Sequence, residues 1–211
     1  SLDLTYPLFV KLCTEGSSKG VRLDSKITDC ASLREKAEWL LKNYGPPVLV
    51  EEFVAGPEFT VGILGNEVPY VLGVMQIEVK GRPPDESIYS LEIKREWEEK
   101  VAYHCPPRID AGLLKRIEEV ALGAYEVLDC RDVSRVDIRV GEDGTPYFLE
   151  INPLPGLSPV YGDLPIMARK MGWSYEGLVK AILQHALERN GLFPGKPGGH
   201  SILRSMMVGS G

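Results

Sequence analysis

Residues 134–156, SRVDIRVGEDGTPYFLEINPLPG, constrain the fold of this chain more than any other stretch. Asp143-Gly144 separates two runs rich in β-branched and aromatic residues. An Asp-Gly pair in that setting predicts a two-residue type I′ hairpin, because both central positions of the turn need positive φ. Such a turn sets the register, with Asp137 opposite Glu150 and Arg135 opposite Asn152. The two-residue period of a strand puts all four on one face. Val136, Ile138, Val140, Tyr147, Leu149 and Ile151 fall on the other, which is predicted to be core.

Two carboxylates directly opposite each other repel, so a cation between them is expected. Hard divalent cations take carboxylate and amide oxygens, and Mg²⁺ commonly keeps positions for water and substrate phosphates. Asp137, Glu150 and Asn152 therefore read as a Mg²⁺ site. A solvated outer face, with Arg135 and Arg139 neutralising the acids, is the open alternative. A one-residue slip of register would dissolve the constellation altogether.

A chain of 211 residues is long enough to bury a proper core as one large domain or two small ones. Its net charge of −6 argues against a nucleic-acid surface held by bulk electrostatics. Cys13, Cys30, Cys105 and Cys130 have neither CxxC spacing nor His partners at metal-ligand intervals, which points to reduced thiols and a cytoplasmic setting. No apolar run approaches the roughly 20 residues that span a bilayer, and no signal-peptide pattern opens the chain. The sequence enters an apolar strand almost at once, so it is expected to be a piece of a longer protein.

Leu8–Leu12 reads as a strand, and Lys11 near its end points either at a ligand or out to solvent along its stem. The loop that follows sets Ser17, Ser18 and Lys19 between two glycines. It suits phosphate or a plain polar connection, and it does not match the GxxxxGK[ST] pattern. A helix over 29–44 is predicted from Asp29 as N-cap, a stripe of Leu33, Ala37, Leu40, Leu41 and Tyr44, and Gly45 as its stop. Val48–Glu52 reads as a strand ending in adjacent acids, with Glu58 beyond a Gly-Pro turn. Those acids suit an amine edge and a ribose, or simply a solvated strand end. Residues 68–79 extend a sheet, and 80–100 read as a mobile surface loop. A second helix starts at the cap Asp110, with Leu114, Ile117, Val120, Ala121, Ala124, Val127 and Leu128 as its apolar stripe. Two more follow, around 165–171 and from the cap Ser174 to Asn190. The Gly- and Pro-rich tail over 191–211 is expected to be loosely ordered.

The order KLCTEGSSKGV, VLVEEFVAGPEFTVGIL, EIK, CRDVSRVDIRV, FLEINPLPGLSP resembles the D-alanine:D-alanine ligase branch of the ATP-grasp superfamily over about residues 9–187. The resemblance implies an α+β ATP-grasp fold, with a lid and hinge subdomain over 1–65, a larger antiparallel sheet with flanking helices over 66–190, and ATP between them. It implies that Lys11 contacts ATP and that the Ser17-Ser18 loop closes over the phosphates. Glu51 would accept from the adenine amine, Glu52 and Val54 would bond it through their backbones, and Phe53 would line the pocket. Glu58 would hold the ribose, Lys94 a phosphate, and Asp137, Glu150 and Asn152 two Mg²⁺ ions. Arg135 and the N–H of Gly156 match groups that stabilise the tetrahedral oxyanion. The implied activity activates a carboxylate as an acyl phosphate for attack by an amine, and serves peptidoglycan synthesis for the cell wall. The implied partners are ATP and small amino acids, with a homodimer open for the full-length protein and neither nucleic acid nor membrane.

The sequence departs from the family pattern at three places. The family's amino-terminal domain is absent, so this stretch alone is not expected to be a competent ligase. Arg95 follows EIK where an aromatic residue is expected, which suits an acidic or peptide-like acceptor. After Gly156, LSPVYGDLP is one residue longer than the pattern, and Ser158 is the nearest hydroxyl for an acceptor carboxylate. Three readings stay open: a D-alanyl-D-alanine-type ligase, an ATP-grasp ligase for another substrate pair, and a nucleotide-binding module without turnover.

Overall fold

Strict alternation in β1 (Leu8–Leu12) buries Leu8, Val10 and Leu12 and turns Phe9 and Lys11 to the opposite face. The structure is a computed structural model and describes residues 3–13, 20–84, 86–90, 93 and 96–192. β1 pairs antiparallel with β2 (Lys26–Ile27) and β3 (Val48–Glu52), and the strand order is β2-β1-β3. Helix α1 (Cys30–Tyr44) covers the apolar face, started by Asp29, whose carboxylate accepts the Ser32 N–H at 2.9 Å. Leu40 and Ile27 join the three β1 residues in the core, with Leu33, Trp39, Val48 and Val50 packed around them.

The stripe of α1 is narrower than its apolar residues suggest. Leu41 and Tyr44 are 44% and 40% exposed, while Lys36 is buried. Leu41 lies about 100° round the helix from Leu40, beyond what a three-stranded sheet can cover. Lys36 is admitted because its ammonium meets Asp24 at 2.5 Å and lies 5.0 Å from the centre of the Trp39 ring.

A second sheet has the order β6-β5-β4-β7-β8. Its strands are β4 (Glu58–Leu64), β5 (Tyr70–Val79), β6 (Val101–His104), β7 (Val133–Val140) and β8 (Pro146–Asn152). The helices after the first are α2 (Trp97–Lys100), α3 (Ala111–Val127), α4 (Asp163–Lys170) and α5 (Tyr175–Arg189). Helix α3 packs Ile117, Ala121 and Tyr125 onto Phe59, Val61, Ile63, Val136, Ile138 and Val140. Val127 and Leu128, expected in that stripe, are 86% and 54% exposed, and Tyr125 takes the buried position, donating its hydroxyl to the Gly65 carbonyl at 2.6 Å. One end of the opposite face is covered by Leu164 and Ala168 of α4 with Leu178 and Ala181 of α5.

By contacts the chain divides into one unit up to Pro57 with Glu78–Ala102, and another of Glu58–Ile77 with the chain from Tyr103 onward. This division differs from an expected boundary at residue 65, because β4 belongs whole to the second sheet. In the segment expected to be a mobile surface loop, Ile88, Tyr89, Ser90 and Ile93 are buried. β2 and β6 are short strands that the sequence did not announce. The tail expected over 191–211 lies, after Leu192, outside the described residues.

Two glycines seat α4 on the sheet. A Cβ on Gly62 would stand 2.7 Å from Leu164 Cδ1, and one on Gly73 would stand 2.8 Å from Met171 Cγ and 3.2 Å from Met167 Cγ. A side chain there would lift the helix. At the other end of the α4–α5 pair, Asn66 donates to Asp132 Oδ1 at 3.1 Å and to the His185 carbonyl at 3.0 Å, and Arg189 forks onto Asp132 at 2.8 and 3.2 Å. Burial opposes charge on Asp132, but the bonds from Arg189 and Asn66 outweigh it and hold the carboxyl below its usual range. Burial pushes the His185 imidazole down, against Glu188 and Asp132, which favour its cation.

Two outcomes follow from this packing. Gly73→Ala should cost about 1–3 kcal/mol of stability by overpacking; a urea midpoint equal to the parent's would show that α4 does not depend on that close approach. A folded-state pKa for His185 below the unfolded value of about 6.5 means that the unfolded chain binds the extra proton first, so stability should fall as pH drops below that value and stay level above it for this group. The stability difference between parent and His185→Gln should therefore be constant above pH ~6.5 and change below it, while the stability that Asp132 contributes is present above its ordinary carboxyl pKa and is lost only as pH falls below that value.

Candidate functional site

The hairpin places its acids opposite each other by a different route from the one its turn residues suggest. Gly141 N–H donates to the Thr145 carbonyl at 2.9 Å and Gly144 N–H to the Gly141 carbonyl at 2.9 Å, so the loop holds three residues. Only Gly144 among them has positive φ, +78°, whereas a type I′ turn would need it at Asp143 too. This offsets the strands by one, pairing Val140 with Pro146, Arg139 with Tyr147 and Ile138 with Phe148. A bulge at Leu149 then restores the register, and Asp137 stands opposite Glu150, Val136 opposite Ile151 and Arg135 opposite Asn152. Tyr147, predicted to be core, shares the polar face with Arg139 and is 42% exposed.

That polar face continues onto β4, where Glu58 pairs with Arg139, Thr60 with Asp137 and Gly62 with Arg135. Its Gly62–Arg135 end lies against the start of α4, where Leu164 approaches Gly62. The Arg135 guanidinium is the centre of it, with a side chain 11% exposed. Nε and Nη2 fork onto Asp137 at 3.1 and 2.8 Å, Nη1 donates to Asp163 Oδ2 at 3.2 Å, and Nη2 lies 4.0 Å from Glu150 Oε1. Asp137 Oδ1 also accepts the Thr60 hydroxyl at 2.7 Å, and Asp163 Oδ1 accepts the Tyr103 hydroxyl at 3.3 Å. Burial disfavours the guanidinium cation, but Asp137 and Asp163 more than offset it and raise its pKa. Arg135 is the positive group between the paired acids. Glu58 faces Arg139 Nε at 3.9 Å, and Arg139 is buried, so this face is not the solvated surface that its charges could suggest.

Asn152 turns its Oδ1 to the Leu154 N–H at 3.0 Å, which leaves a lone pair on the same oxygen. Two carboxylates and an amide oxygen form an all-oxygen donor set that suits Mg²⁺. Among the described residues, no three His, Cys, Asp or Glu side chains gather as a cage by themselves. Gly156 is exposed in the loop after β8, where Ser158 is engaged locally by the Val160 N–H at 3.4 Å.

The three-stranded sheet carries a second set on the face away from α1. Lys11 and Glu51 lie on that face and pair with each other, Nζ to Oε1 at 2.7 Å. Phe53 stacks 6.1 Å from Phe9, with Lys26 Nζ 4.6 Å from its ring centre. Glu52 accepts the Thr5 N–H at 2.7 Å, and the half-buried Val54 follows β3. Ser17, Ser18, Lys94 and Arg95 lie outside the described residues. Thr60, Tyr103, Asp163 and Lys26 escaped the reading of the sequence. Thr60 shares the two-residue period of Glu58 in EFTVGIL, but its relation to Asp137 spans 77 residues and needs the β4–β7 pairing.

A family model described as "D-ala D-ala ligase C-terminus" matches residues 1–184. The chain is 35% identical over 195 residues to a D-alanine–D-alanine ligase of Desulforudis audaxviator, covering 89% of this chain and 58% of that protein. The fold matches the VanG D-Ala:D-Ser ligase from Enterococcus faecalis with a TM-score of 0.68 at 30% identity, over 86% of this chain and 50% of that one. It also matches a D-alanine–D-alanine ligase from Bacillus anthracis, solved with ATP, at a TM-score of 0.69 and 24% identity, over 88% and 54%. The chain thus spans little more than half the length of these proteins. Two antiparallel sheets with flanking helices, a family match across 1–184 and these relatives together mean that the chain belongs to the D-alanine:D-alanine ligase carboxyl-terminal family, with an α+β ATP-grasp fold.

Proposed function

We propose that this chain is the nucleotide-binding and catalytic part of an ATP-dependent carboxylate–amine ligase of the D-alanine:D-alanine type. The observation that carries the proposal is the Asp137–Glu150 cross-strand pair, with Asn152 and the buried Arg135 on the same sheet face. On this reading ATP phosphorylates a carboxylate to an acyl phosphate, an amine attacks the acyl carbon, and phosphate leaves. Asp137, Glu150 and Asn152 hold Mg²⁺, whose chemistry is to neutralise charge on the transferred phosphoryl oxygens. Lys11, Ser17, Ser18, Glu51, Glu52, Phe53, Val54, Glu58 and Lys94 serve the nucleotide. Arg135 keeps its charge at any working pH, and with the Gly156 N–H it donates to the tetrahedral oxyanion. With D-alanine as both substrates, the product feeds peptidoglycan synthesis in the cytoplasm.

A second reading keeps this chemistry and changes the amino acids. It draws on the longer segment after Gly156, where Ser158 is taken up by a local turn and Asp163 brings a carboxylate to the arginine. A D-Ala:D-Ser ligase among the structural relatives illustrates how the acceptor varies on this fold.

Glu150→Gln should abolish Mg²⁺-dependent ATP binding and leave the circular dichroism spectrum unchanged; full affinity at saturating Mg²⁺ would remove the pair from the metal site. In the protein that carries this chain, Arg135→Lys keeps the charge but loses the fork. It should lower turnover about 10²- to 10³-fold with little change in ATP affinity, measured as phosphate release across a panel of D- and L-amino acids. Equal losses in binding and turnover would refute the oxyanion role, and the stimulating amino acid would choose between the two readings.

A further inference from the structure

Arg135 has two claims on it that pull in different directions. A divalent cation on Asp137 competes with the guanidinium fork, because Oδ1 already accepts from Arg135 Nε and Thr60 and Oδ2 from Arg135 Nη2, and two cations on one carboxylate repel each other. Arg135 would then swing or compete with the metal, unless something else holds it. Nη1, the nitrogen that Asp137 does not use, donates to Asp163 at 3.2 Å. Asp163 is the first residue of α4 and is 12% exposed, so it is fixed by a helix rather than by a loop. Its second oxygen accepts the Tyr103 hydroxyl, which sets the plane of the carboxylate. The helix is in turn seated by the close approach at Gly62 and Gly73.

We propose that Asp163 is a positioning residue: with Tyr103 behind it, it anchors Arg135 through Nη1, so that a divalent cation can displace part of the fork on Asp137 while the guanidinium stays in the site. The inference rests on the metal reading of Asp137 given above and goes beyond it, since it assigns a role to a residue beyond the hairpin, at the start of a helix. Partners one step removed from metal ligands set ligand orientation, and their loss typically weakens metal affinity about 10- to 100-fold. Without Asp163 the whole guanidinium falls back on Asp137, and the cation must displace it.

The test titrates Mn²⁺ into the full chain with saturating ADP, read by water-proton relaxation, alongside the ¹⁵N resonances of the Arg135 side chain. Asp163→Asn should weaken Mn²⁺ about 10-fold and let the Nη1 group of Arg135 rotate freely, whereas Asp163→Glu should restore part of both. Tyr103→Phe, which removes one hydroxyl and leaves the ring, should move both readouts in the same direction by a smaller factor. Asp137→Asn is the control for the metal reading. If it leaves Mn²⁺ affinity unchanged, that reading fails. If it abolishes Mn²⁺ binding while Asp163→Asn and Tyr103→Phe leave both readouts at parental values, the positioning role is overturned and the metal site stands. Should Asp163→Asn fail to fold, Tyr103→Phe and Asp163→Glu still decide between these outcomes.

Discussion

A guanidinium taken almost wholly out of water is the constraint around which the second unit is arranged. Burying one charge costs several kcal/mol unless its donors are met in good geometry. Arg135 is met on three sides: Asp137 takes the fork, Asp163 takes Nη1, and Glu150 stands within 4.0 Å. Each partner comes from a different element, namely β7, α4 and β8. The ion cluster therefore ties the hairpin to the helix pair that closes one end of the sheet face. On the same polar face the Glu150 carboxylate, at 45% exposure, is the acid left open to solvent.

The cluster depends on register, and register here is the sum of two irregularities. A three-residue loop alone would offset the strands by one and put Glu150 on the apolar side. The bulge at Leu149 cancels the offset just before the acids. Bulges re-aim side chains next to functional sites and are common there. On either side of this one the face assignments differ: Tyr147 joins the polar face and Phe148 the face of Ile138, while Glu150 and Asn152 keep theirs. The position of the acids is right although the turn assumed to produce it is not the turn present.

Much of the local structure was legible. Asp29, Asp110 and Ser174 cap their helices through the N–H groups that their side chains suit. Pattern and burial diverge where a periodic pattern continues past the surface available to cover it. Leu41 and Tyr44 in α1, and Val127 and Leu128 at the end of α3, repeat the helical spacing, yet they project beyond the sheets beneath them. Lys36 and Tyr125 run the other way, being polar residues that become buried because a partner waits for them: Asp24 and the Gly65 carbonyl. The stretch 80–100 carries charge and proline, yet Ile88, Tyr89 and Ile93 are buried, since single apolar side chains can find cover that composition does not reveal.

The amino-acid sequence by itself determined what is local: the two-residue period of the strands, the capping residues, the acids carried by the two hairpin strands, and an order of motifs sufficient to identify the family. These depend on interactions within a few residues, whose geometry is set by backbone sterics. Only the tertiary structure decided that Thr60 supports Asp137 across 77 residues, that Asp163 and Tyr103 meet at Arg135, and that Lys11 pairs with Glu51. Those contacts follow from strand pairing and from how closely Gly62 and Gly73 let a helix approach, and neither has a signature within any short window of the chain. Long-range packing selects among the partners that local chemistry permits, because burial and ion pairing are satisfied by the assembled surface rather than by neighbours in sequence.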